Sequence, residues 1–350
     1  MSEHDSATTA DLILSRRKLL LAAAGIAPAA LLTQAGYASA VFGAAPDSGG
    51  TSQFAPVPER ARPPQFPSKE YLLDDLGGGV FGVRGVGNYQ SMFLVTRRGV
   101  VAVDAPANFG DTLLAAIGEV TDKPVTHFVY SHAHVDHTGG AHRFPPNARY
   151  VAHELTAELL RKAADPRRPL PTQTFAGQRH VLHVGGERLI LEYRGNNHLA
   201  GNLFIHAPDQ RVLMLVDVIT PRWAPFFRLG LSPNVPAYTD ATNQVLGYDF
   251  TTLITGHAGH FGTRADVEEH GRYLADLQAA TGQALGTVDF AAAVKDVSPD
   301  NYQAQAKVWT GAVVKRAAEL MPSSWLTQLG GADVFLPDNA LAMLWSMLID

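Results

Sequence analysis

The sequence of 350 residues contains no cysteine. This absence excludes disulfide bonds, cysteine-ligated zinc or iron–sulfur clusters, and a thiol nucleophile. An excess of basic residues is also missing, with 28 Lys and Arg against 33 Asp and Glu and a net charge of -5. Because nucleic-acid-binding domains carry a basic face, we expect no nucleic-acid partner. The chemistry of this chain therefore depends on nitrogen and oxygen groups, and histidine, with 14 copies, is abundant.

Two catalytic motifs are absent as well. The chain has neither a G-x-S-x-G nucleophile elbow nor a G-K-[ST] phosphate loop, so a serine triad of the hydrolase type and a phosphate-loop nucleotide site are not expected. The composition, with 46% hydrophobic and 17% charged residues, is that of a folded protein with a sizeable core.

The first 40 residues have the features of an export signal. A twin-arginine segment, Ser15 to Leu20, precedes an apolar run at 19–32, and Ala38-Ser39-Ala40 follows as a cleavage site. The apolar run is interrupted by Pro28 and is shorter than the roughly 20 residues that a spanning helix needs. We predict export by the twin-arginine machinery, cleavage after Ala40, a periplasmic or extracellular location, and no stable membrane span in the mature protein.

After residue 40, the composition and the hydrophobic periodicity of the chain change twice. Residues 41–70 are rich in Pro and Gly and indicate a linker, or an arm that is bound to the rest of the protein. Short β-rich runs alternate with helical stretches from Tyr71 onward, and only helical periodicity remains in the last part. We therefore predict a signal peptide at 1–40, a linker at 41–70, a layered α/β catalytic domain at 71–262 and a C-terminal helical extension at 263–350 that packs on it.

The strongest signal follows the apolar strand predicted at Val125–Tyr130. The segment after it reads H-x-H-x-D-H and supplies four potential metal ligands within six residues: His132, His134, Asp136 and His137. In a loop, positions i and i+2 can face one ion while i+4 and i+5 turn toward a second. Nitrogen and carboxylate ligands without sulfur suit zinc, and also iron or manganese.

This motif resembles the signature of the metallo-β-lactamase fold superfamily, and the resemblance extends from about Tyr71 to about Phe261. Four further segments match the family pattern, and they contain Asp104, His198, Asp217 and His257. The resemblance implies a four-layer αββα sandwich with two Zn²⁺ per chain. It implies a first ion on His132, His134 and His198, a second on Asp136, His137 and His257, and Asp217 as the bridge. Asp104 is expected to brace the ligand loop, and His260 is an alternative to His257.

The resemblance also implies a reaction. A hydroxide shared by the two ions is the expected nucleophile, and Asp136 is expected to orient it and carry a proton to the leaving group. In having an aspartate at position 217, the chain resembles lactonases and related esterases more than β-lactamases. We predict an exported zinc hydrolase acting on an ester or lactone with an apolar part. The alternatives are a phosphodiesterase, a β-lactam hydrolase, or a mononuclear-iron oxidoreductase like the sulfur dioxygenases of this fold.

A cluster of bulky residues follows Asp217 and is our candidate substrate pocket. Trp223, Phe226 and Phe227 stand close together, with Arg222 and Arg228 interleaved. The hypothesis is a wall for the apolar part of a small-molecule substrate. The alternative is a packed loop that covers the helical extension. Whether the extension forms a lid or the face of a homodimer is left open by the sequence.

Overall fold

Two β-sheets lie face to face at the centre of the protein, which a computed structural model describes over residues 53–66, 70–85 and 87–350. All of these residues belong to one compact unit that spans 48–350. The predicted signal peptide at 1–40 and the first part of the predicted linker lie outside the described residues. Both therefore stay predictions, as do the domain boundaries.

The first sheet has its strands in sequence order from β1 to β7 within the described ranges. The first four form an antiparallel meander, and β4 to β7 pair in parallel. Their bounds are β1 (Tyr71–Asp75), β2 (Val80–Gly85), β3 (Gln90–Thr96), β4 (Gly99–Val103), β5 (Val125–Val129), β6 (Arg149–His153) and β7 (Gln173–Phe175).

The second sheet is ordered β12-β11-β10-β9-β8. The strands β8 to β11 are antiparallel, and the short last strand pairs in parallel with β11. Their bounds are β8 (Arg179–Val184), β9 (Glu187–Tyr193), β10 (Leu203–Ala207), β11 (Val212–Leu215) and β12 (Thr252–Ile254).

Helices cover the outer faces of both sheets. The first three accompany the first sheet, and the others follow β11. They are α1 (Gly110–Val120), α2 (Val135–Thr138), α3 (Glu154–Ala163), α4 (Phe227–Leu231), α5 (Val235–Leu246), α6 (Arg264–Thr287), α7 (Phe290–Ala293), α8 (Tyr302–Leu320), α9 (Trp325–Gln328) and α10 (Leu336–Ile349). None of the helices in the described ranges is long and apolar enough to cross a membrane.

The side chains of β4 show how the layers are built. All five residues of this strand are buried, because both faces of the sheet are covered. Val101 and Val103 belong to the core between the sheets, whereas Val100 and Ala102 belong to the core under the helices of the first sheet. This alternation is the two-residue period of a strand, and it fixes which face meets which layer.

The C-terminal helices are packed on the second sheet. One apolar core joins Phe204 of β10 and Leu215 of β11 to Leu274 of α6, Val313 of α8 and Leu344 of α10, and each of these side chains is at most 3% exposed. The order of layers is therefore helix, sheet, sheet, helix. The predicted αββα fold with a helical C-terminal part is confirmed.

The segment before β1 is attached to the helical part of the protein. Arg60 pairs with Glu269 of α6 through two hydrogen bonds of 2.6 and 3.0 Å. The indole of Trp223 donates to the carbonyl of Ala61 at 2.9 Å, and Ala61 itself is fully buried. At least this part of the predicted linker is thus a bound arm.

Strand direction places the functional loops on one rim. The parallel strands β4 and β5 end side by side, and β11 and β12 do the same in the second sheet. Asp104 follows β4, the H-x-H-x-D-H loop follows β5, and Asp217 and His257 follow β11 and β12. The sandwich thereby brings four sequence-distant segments to the same edge.

Candidate metal centre

The ligand loop after β5 changes from extended to helical within its own motif. His134 has extended backbone angles and precedes the single turn α2, which contains Asp136 and His137. The carbonyl of His134 accepts a hydrogen bond from the Thr138 hydroxyl at 2.7 Å. The backbone amide of Ala105, next to Asp104, donates to the carbonyl of His137 at 2.8 Å. The two halves of the motif therefore face two different groups of partners.

The first group combines three histidines with one carboxylate oxygen. Nε2 of His198 lies 2.9 Å from Nδ1 of His134 and 3.3 Å from Oδ2 of Asp217. Nε2 of His132 lies 3.4 Å from the same oxygen, and Nδ1 of His134 lies 4.0 Å from it. These four residues form a cluster that can hold one metal ion.

The second group uses the other oxygen of the same carboxylate. Nε2 of His137 and Nε2 of His257 are 2.9 Å apart, and they lie 3.1 and 3.2 Å from Oδ1 of Asp217. Oδ2 of Asp136 lies 3.4 Å from His137 and 3.6 Å from His257. The structure thus brings all seven predicted ligands together in two groups that share Asp217.

The donor atoms of both groups fit zinc. Zinc–nitrogen bonds of roughly 2.0–2.1 Å in a tetrahedron place neighbouring ligand atoms about 3.3 Å apart, and the distances here are 2.9 to 4.0 Å. Nε2 of His132 and Oδ1 of Asp217 are buried and have no hydrogen-bond partner among the described residues. Buried polar atoms without partners are rare in proteins, and a metal ion accounts for such atoms.

The charges of the cluster also call for cations. Burial alone would raise the pKa of Asp217, yet the neighbouring His137 and His257 hold that pKa well below its ordinary value. Burial lowers the pKa of His137, but the carboxylates of Asp217 and Asp136 outweigh it and raise that pKa to about 9. The carboxylates of Asp217 and Asp136 therefore stay ionised, and divalent cations would supply positive charge beside them.

A chain of hydrogen bonds sets the tautomer of His132. The carboxylate of Asp104, which is fully buried, accepts from the Ser131 amide at 2.8 Å and from the Ser131 hydroxyl at 2.5 Å. Because that hydroxyl donates to Asp104, it accepts from Nδ1–H of His132 at 2.8 Å. The lone pair of Nε2 then faces the cluster. Asp104 is thus hydrogen-bonded to the ligand loop through Ser131, and its role as a brace stays a prediction.

This hydrogen-bond relay from Asp104 through Ser131 to His132 gives a first prediction. Ser131→Ala should weaken zinc binding about 10- to 100-fold, because His132 loses the partner that fixes its tautomer. Competition with a fluorescent chelator measures this affinity. Ser91 is a matched control, since it is also fully buried but its hydroxyl has no hydrogen-bond partner among the described residues. Ser91→Ala should bind zinc as the wild type does, and wild-type affinity in Ser131→Ala would contradict the relay.

Gly256 explains why a glycine precedes the last ligand. Its φ is +84°, in the left-handed region that favours glycine. A Cβ at this position would lie 2.6 Å from the side chain of Val216 and 2.8 Å from the ring of His137. Only a residue without a side chain therefore lets the His257 loop approach the second ligand group.

Two residues of β3 and its loop belong to the site but gave no signal in the sequence. Gln90 is fully buried and donates to the carbonyls of His257 and His260 at 2.6 and 2.7 Å, so that it fixes the last ligand loop. The ring centroid of Tyr89 lies 4.8 Å from that of His257 and 5.7 Å from that of His137. The contacts with the His257 loop join segments that are more than 160 residues apart, which no local pattern reveals.

The remaining candidates lie around the centre. His260 belongs to neither ligand group among the described residues, because its Nε2 is 2.6 Å from the carbonyl of Arg62 and its Nδ1 is 3.2 Å from Arg222. Trp223 packs on the arm and on Gly330. Its contacts are those of packing, and its role as a pocket wall stays a prediction.

The two phenylalanines of the candidate pocket keep accessible surface. Phe226 is 47% exposed, and its ring centroid lies 4.8 Å from that of Phe335. Phe227 meets the same ring at 5.9 Å, and the guanidinium of Arg228 lies 6.0 Å from the Phe227 ring. These side chains form one aromatic cluster at the start of α4, and their contact with substrate stays a prediction.

Comparisons with known proteins agree with this geometry. The family model of the metallo-beta-lactamase superfamily matches residues 84–260, about half of the chain. The 2,4-dinitroanisole O-demethylase subunit alpha of Nocardioides sp. (strain JS1661) is 30% identical over 176 residues, which cover 49% of this chain and 53% of that protein. The chain spans about half the length of the curated relatives it matches.

Solved structures show the same fold. A metallo-beta-lactamase from Pontibacter korlensis aligns with a TM-score of 0.50 and 21% identity, over 59% of this chain and 99% of that chain. The sec-alkylsulfatase Pisa1 from Pseudomonas sp. aligns with a TM-score of 0.58 and 16% identity, over 79% of this chain and 50% of that chain. The chain belongs to the metallo-beta-lactamase superfamily. This membership confirms the predicted superfamily and the predicted enzyme class, the metal-dependent hydrolases.

Proposed function

We propose that the protein is a dinuclear zinc hydrolase that cleaves an ester or lactone bond in a substrate with an apolar part. The observation that carries the proposal is the sharing of Asp217, whose two oxygens face two separate ligand groups. A mononuclear iron site, the alternative from another class, would leave the second group without a function. Two zinc ions held here would supply an activated water and a Lewis acid for the scissile group.

Asp136 is the residue that we assign to proton transfer. Its carboxylate is 43% exposed, whereas that of Asp217 is 10% exposed, so Asp136 is the group that a substrate can reach. Burial raises its pKa, but His137 and His257 outweigh that effect and hold it well below its ordinary value. The carboxylate is thus ionised at neutral pH, and it can orient a water molecule, take a proton and deliver it to the leaving group.

A substrate panel with zinc analysis tests the proposal. Purified protein should hold about two zinc ions per chain and hydrolyse 4-nitrophenyl acetate, 4-nitrophenyl octanoate or δ-decalactone. Asp136→Ala should lower the turnover about 10²- to 10⁴-fold, whereas Asp122→Ala, at an exposed aspartate outside the site, should not. One iron per chain with oxygen uptake, or two zinc ions without hydrolysis of any ester or lactone, would contradict it.

A second candidate function is the hydrolysis of an aryl ether. It is supported by the 30% identity to a subunit of 2,4-dinitroanisole O-demethylase, and 2,4-dinitroanisole therefore belongs in the panel. Bis(4-nitrophenyl) phosphate and nitrocefin test the phosphodiesterase and β-lactam alternatives. Turnover of one of these compounds, with the esters untouched, would assign the same centre to another bond.

The proposal includes export through the twin-arginine pathway. It is supported by the arginine pair at Arg16 and Arg17, the short apolar run and the Ala38-Ser39-Ala40 site. N-terminal sequencing of the protein from its native host should then begin near Val41. A cytoplasmic protein that retains Met1 would refute this part of the proposal and leave the hydrolase assignment intact.

A further inference from the structure

The segment after Phe226 forms one turn of left-handed helix. The φ angles of Arg228, Leu229, Gly230 and Leu231 are 51°, 55°, 65° and 59°. Residues other than glycine adopt this conformation singly and at a cost, because the Cβ atom approaches a carbonyl oxygen. A run of four, three of them not glycine, persists only where other contacts hold it.

This turn lies directly against the first ligand group. A Cβ on Gly230 would lie 2.9 Å from the backbone oxygen of Asp217 and 3.9 Å from Nδ1 of His198. The amide of Gly230 donates to the carbonyl of Phe226 at 3.1 Å, so a backbone hydrogen bond links Phe226 to the glycine that lies against Asp217 and His198. The aromatic cluster of Phe226, Phe227 and Phe335 is thus carried by a turn that touches the metal centre.

Asn339 on α10 holds the turn from the other side. Its side chain is fully buried, and both halves of its amide are used. Oδ1 accepts from the backbone amide of Leu229 at 2.8 Å, and Nδ2 donates to the carbonyl of Pro225 at 2.9 Å. Asn339 therefore clamps the backbone on both sides of Phe226 and Phe227. Its loss would leave two buried backbone groups without a partner, which favours another conformation of the turn.

We infer that Asn339 is a positioning residue, which fixes the left-handed turn so that Phe226 and Phe227 form the wall for an aliphatic chain of the substrate beside His198. The inference rests on the proposed function for the location of the substrate. It assigns a role in specificity to the C-terminal helices, which lie outside the residues that match the family model. Asn339 acts through the turn, to which both hydrogen bonds of its side-chain amide are made.

Binding of two carboxylates tests the inference without requiring turnover. Isothermal titration of the zinc-loaded protein with octanoate and acetate measures the contribution of the aliphatic chain. Octanoate should bind at least about tenfold more tightly than acetate to the wild type, since buried methylenes add to affinity. In Asn339→Ala the ratio should fall to within about twofold, and Phe226→Ala should lower it as well. Zinc content should remain at the wild-type value in both variants.

Two further variants separate positioning from a loss of structure. Leu231 is 56% exposed with φ at 59°, so Leu231→Gly removes the cost of the left-handed conformation at one of the three non-glycine positions, with little loss of packing. Added to Asn339→Ala, it should restore part of the ratio. Asn301→Ala removes an asparagine that caps α8 through the amide of Ala304, and it should keep the wild-type ratio. Should Asn339→Ala not fold, Asn339→Ser replaces it in the same comparison.

Equal affinity of the wild type for the two carboxylates would overturn the inference, and so would an unchanged ratio in Asn339→Ala or a failure of the Leu231→Gly rescue. The result is independent of the hydrolase assay. Selective octanoate binding that depends on Asn339, in a protein that hydrolyses none of the esters, would support the wall and reject the proposed reaction. Hydrolysis of the esters without selective octanoate binding would support the proposed reaction and reject the wall.

Discussion

Replacing Asp217 with asparagine should lower kcat/KM by about three orders of magnitude and reduce the bound zinc below two ions per chain. The side chain lies within 4.0 Å of all five candidate histidine ligands: His132, His134, His137, His198 and His257. An amide offers one oxygen and no charge, so one ligand group meets an N–H donor where it needs an acceptor. Loss of several kcal/mol of transition-state stabilisation corresponds to this decrease.

The measurement combines zinc analysis with kinetics on the best ester of the panel. Asp249→Asn is the control, because Asp249 is 74% exposed and pairs with Arg211 at 2.7 Å on the surface. That variant should retain two zinc ions and full activity. If Asp217→Asn kept both ions and remained within tenfold of the wild-type kcat/KM, the shared carboxylate would not be what joins the two groups.

The ligand loop was predictable because its chemistry is local. Four ligands lie within six residues after an apolar strand, and their spacing alone separates them into two pairs. His198, Asp217 and His257 are isolated in the sequence, and only the family resemblance assigned them. The structure brings them to the same rim because each follows a strand or strand-like segment of the second sheet. Local pattern thus identified one half of the centre, and fold topology was needed for the other.

The short strands of the fold show no clear period in the sequence. β1 ends in two acidic residues, and β6 has only five residues, of which four are buried, so it shows no alternation. The helix α5 has an Asn234 cap and a proline in its first turn, which are ordinary start signals. Its buried residues keep helical spacing, so the sequence carries the signal of this helix: Val235, Tyr238, Ala241, Thr242 and Val245. The short strands give no such signal, and tertiary packing decides their structure.

Buried polar partners are the other class that the sequence hid. Gln90, Ser131 and Asn339 are fully buried, and each holds a loop that carries or touches a candidate ligand. An isolated Gln, Ser or Asn has no period and no motif, and its value depends on partners distant along the chain. These residues become visible only when the partners of buried polar groups are followed one by one.

Acid should destabilise the protein through His270, which is our last prediction. This side chain on α6 is 3% exposed, and burial lowers its pKa from 6.5 to about 4. The contacts around it do not favour a charge, since Nδ1 is 3.5 Å from the Thr220 hydroxyl and the Tyr238 ring lies 6.0 Å away. Nε2 has no hydrogen-bond partner among the described residues. The folded protein therefore keeps this imidazole neutral where the unfolded chain protonates it.

Between pH 6.5 and 4 the unfolded chain binds a proton at His270 that the folded protein does not bind. The free energy of unfolding therefore keeps its full value with respect to this group above pH 6.5, and it decreases as the pH falls below that value. A pKa of about 4 in the folded protein and 6.5 in the unfolded chain corresponds to roughly 3 kcal/mol in total, of which about 2 kcal/mol is lost at pH 5. His270→Leu removes the titrating group, so its free energy of unfolding relative to the wild type should improve by about that amount between pH 7 and pH 5. Urea denaturation at both pH values measures this double difference, in which the titration of all other groups cancels. His183→Gln, at an exposed histidine, is the control and should show no such gain. An equal pH dependence of the free energy of unfolding in the wild type and in His270→Leu would show that the buried imidazole does not make the fold acid-sensitive.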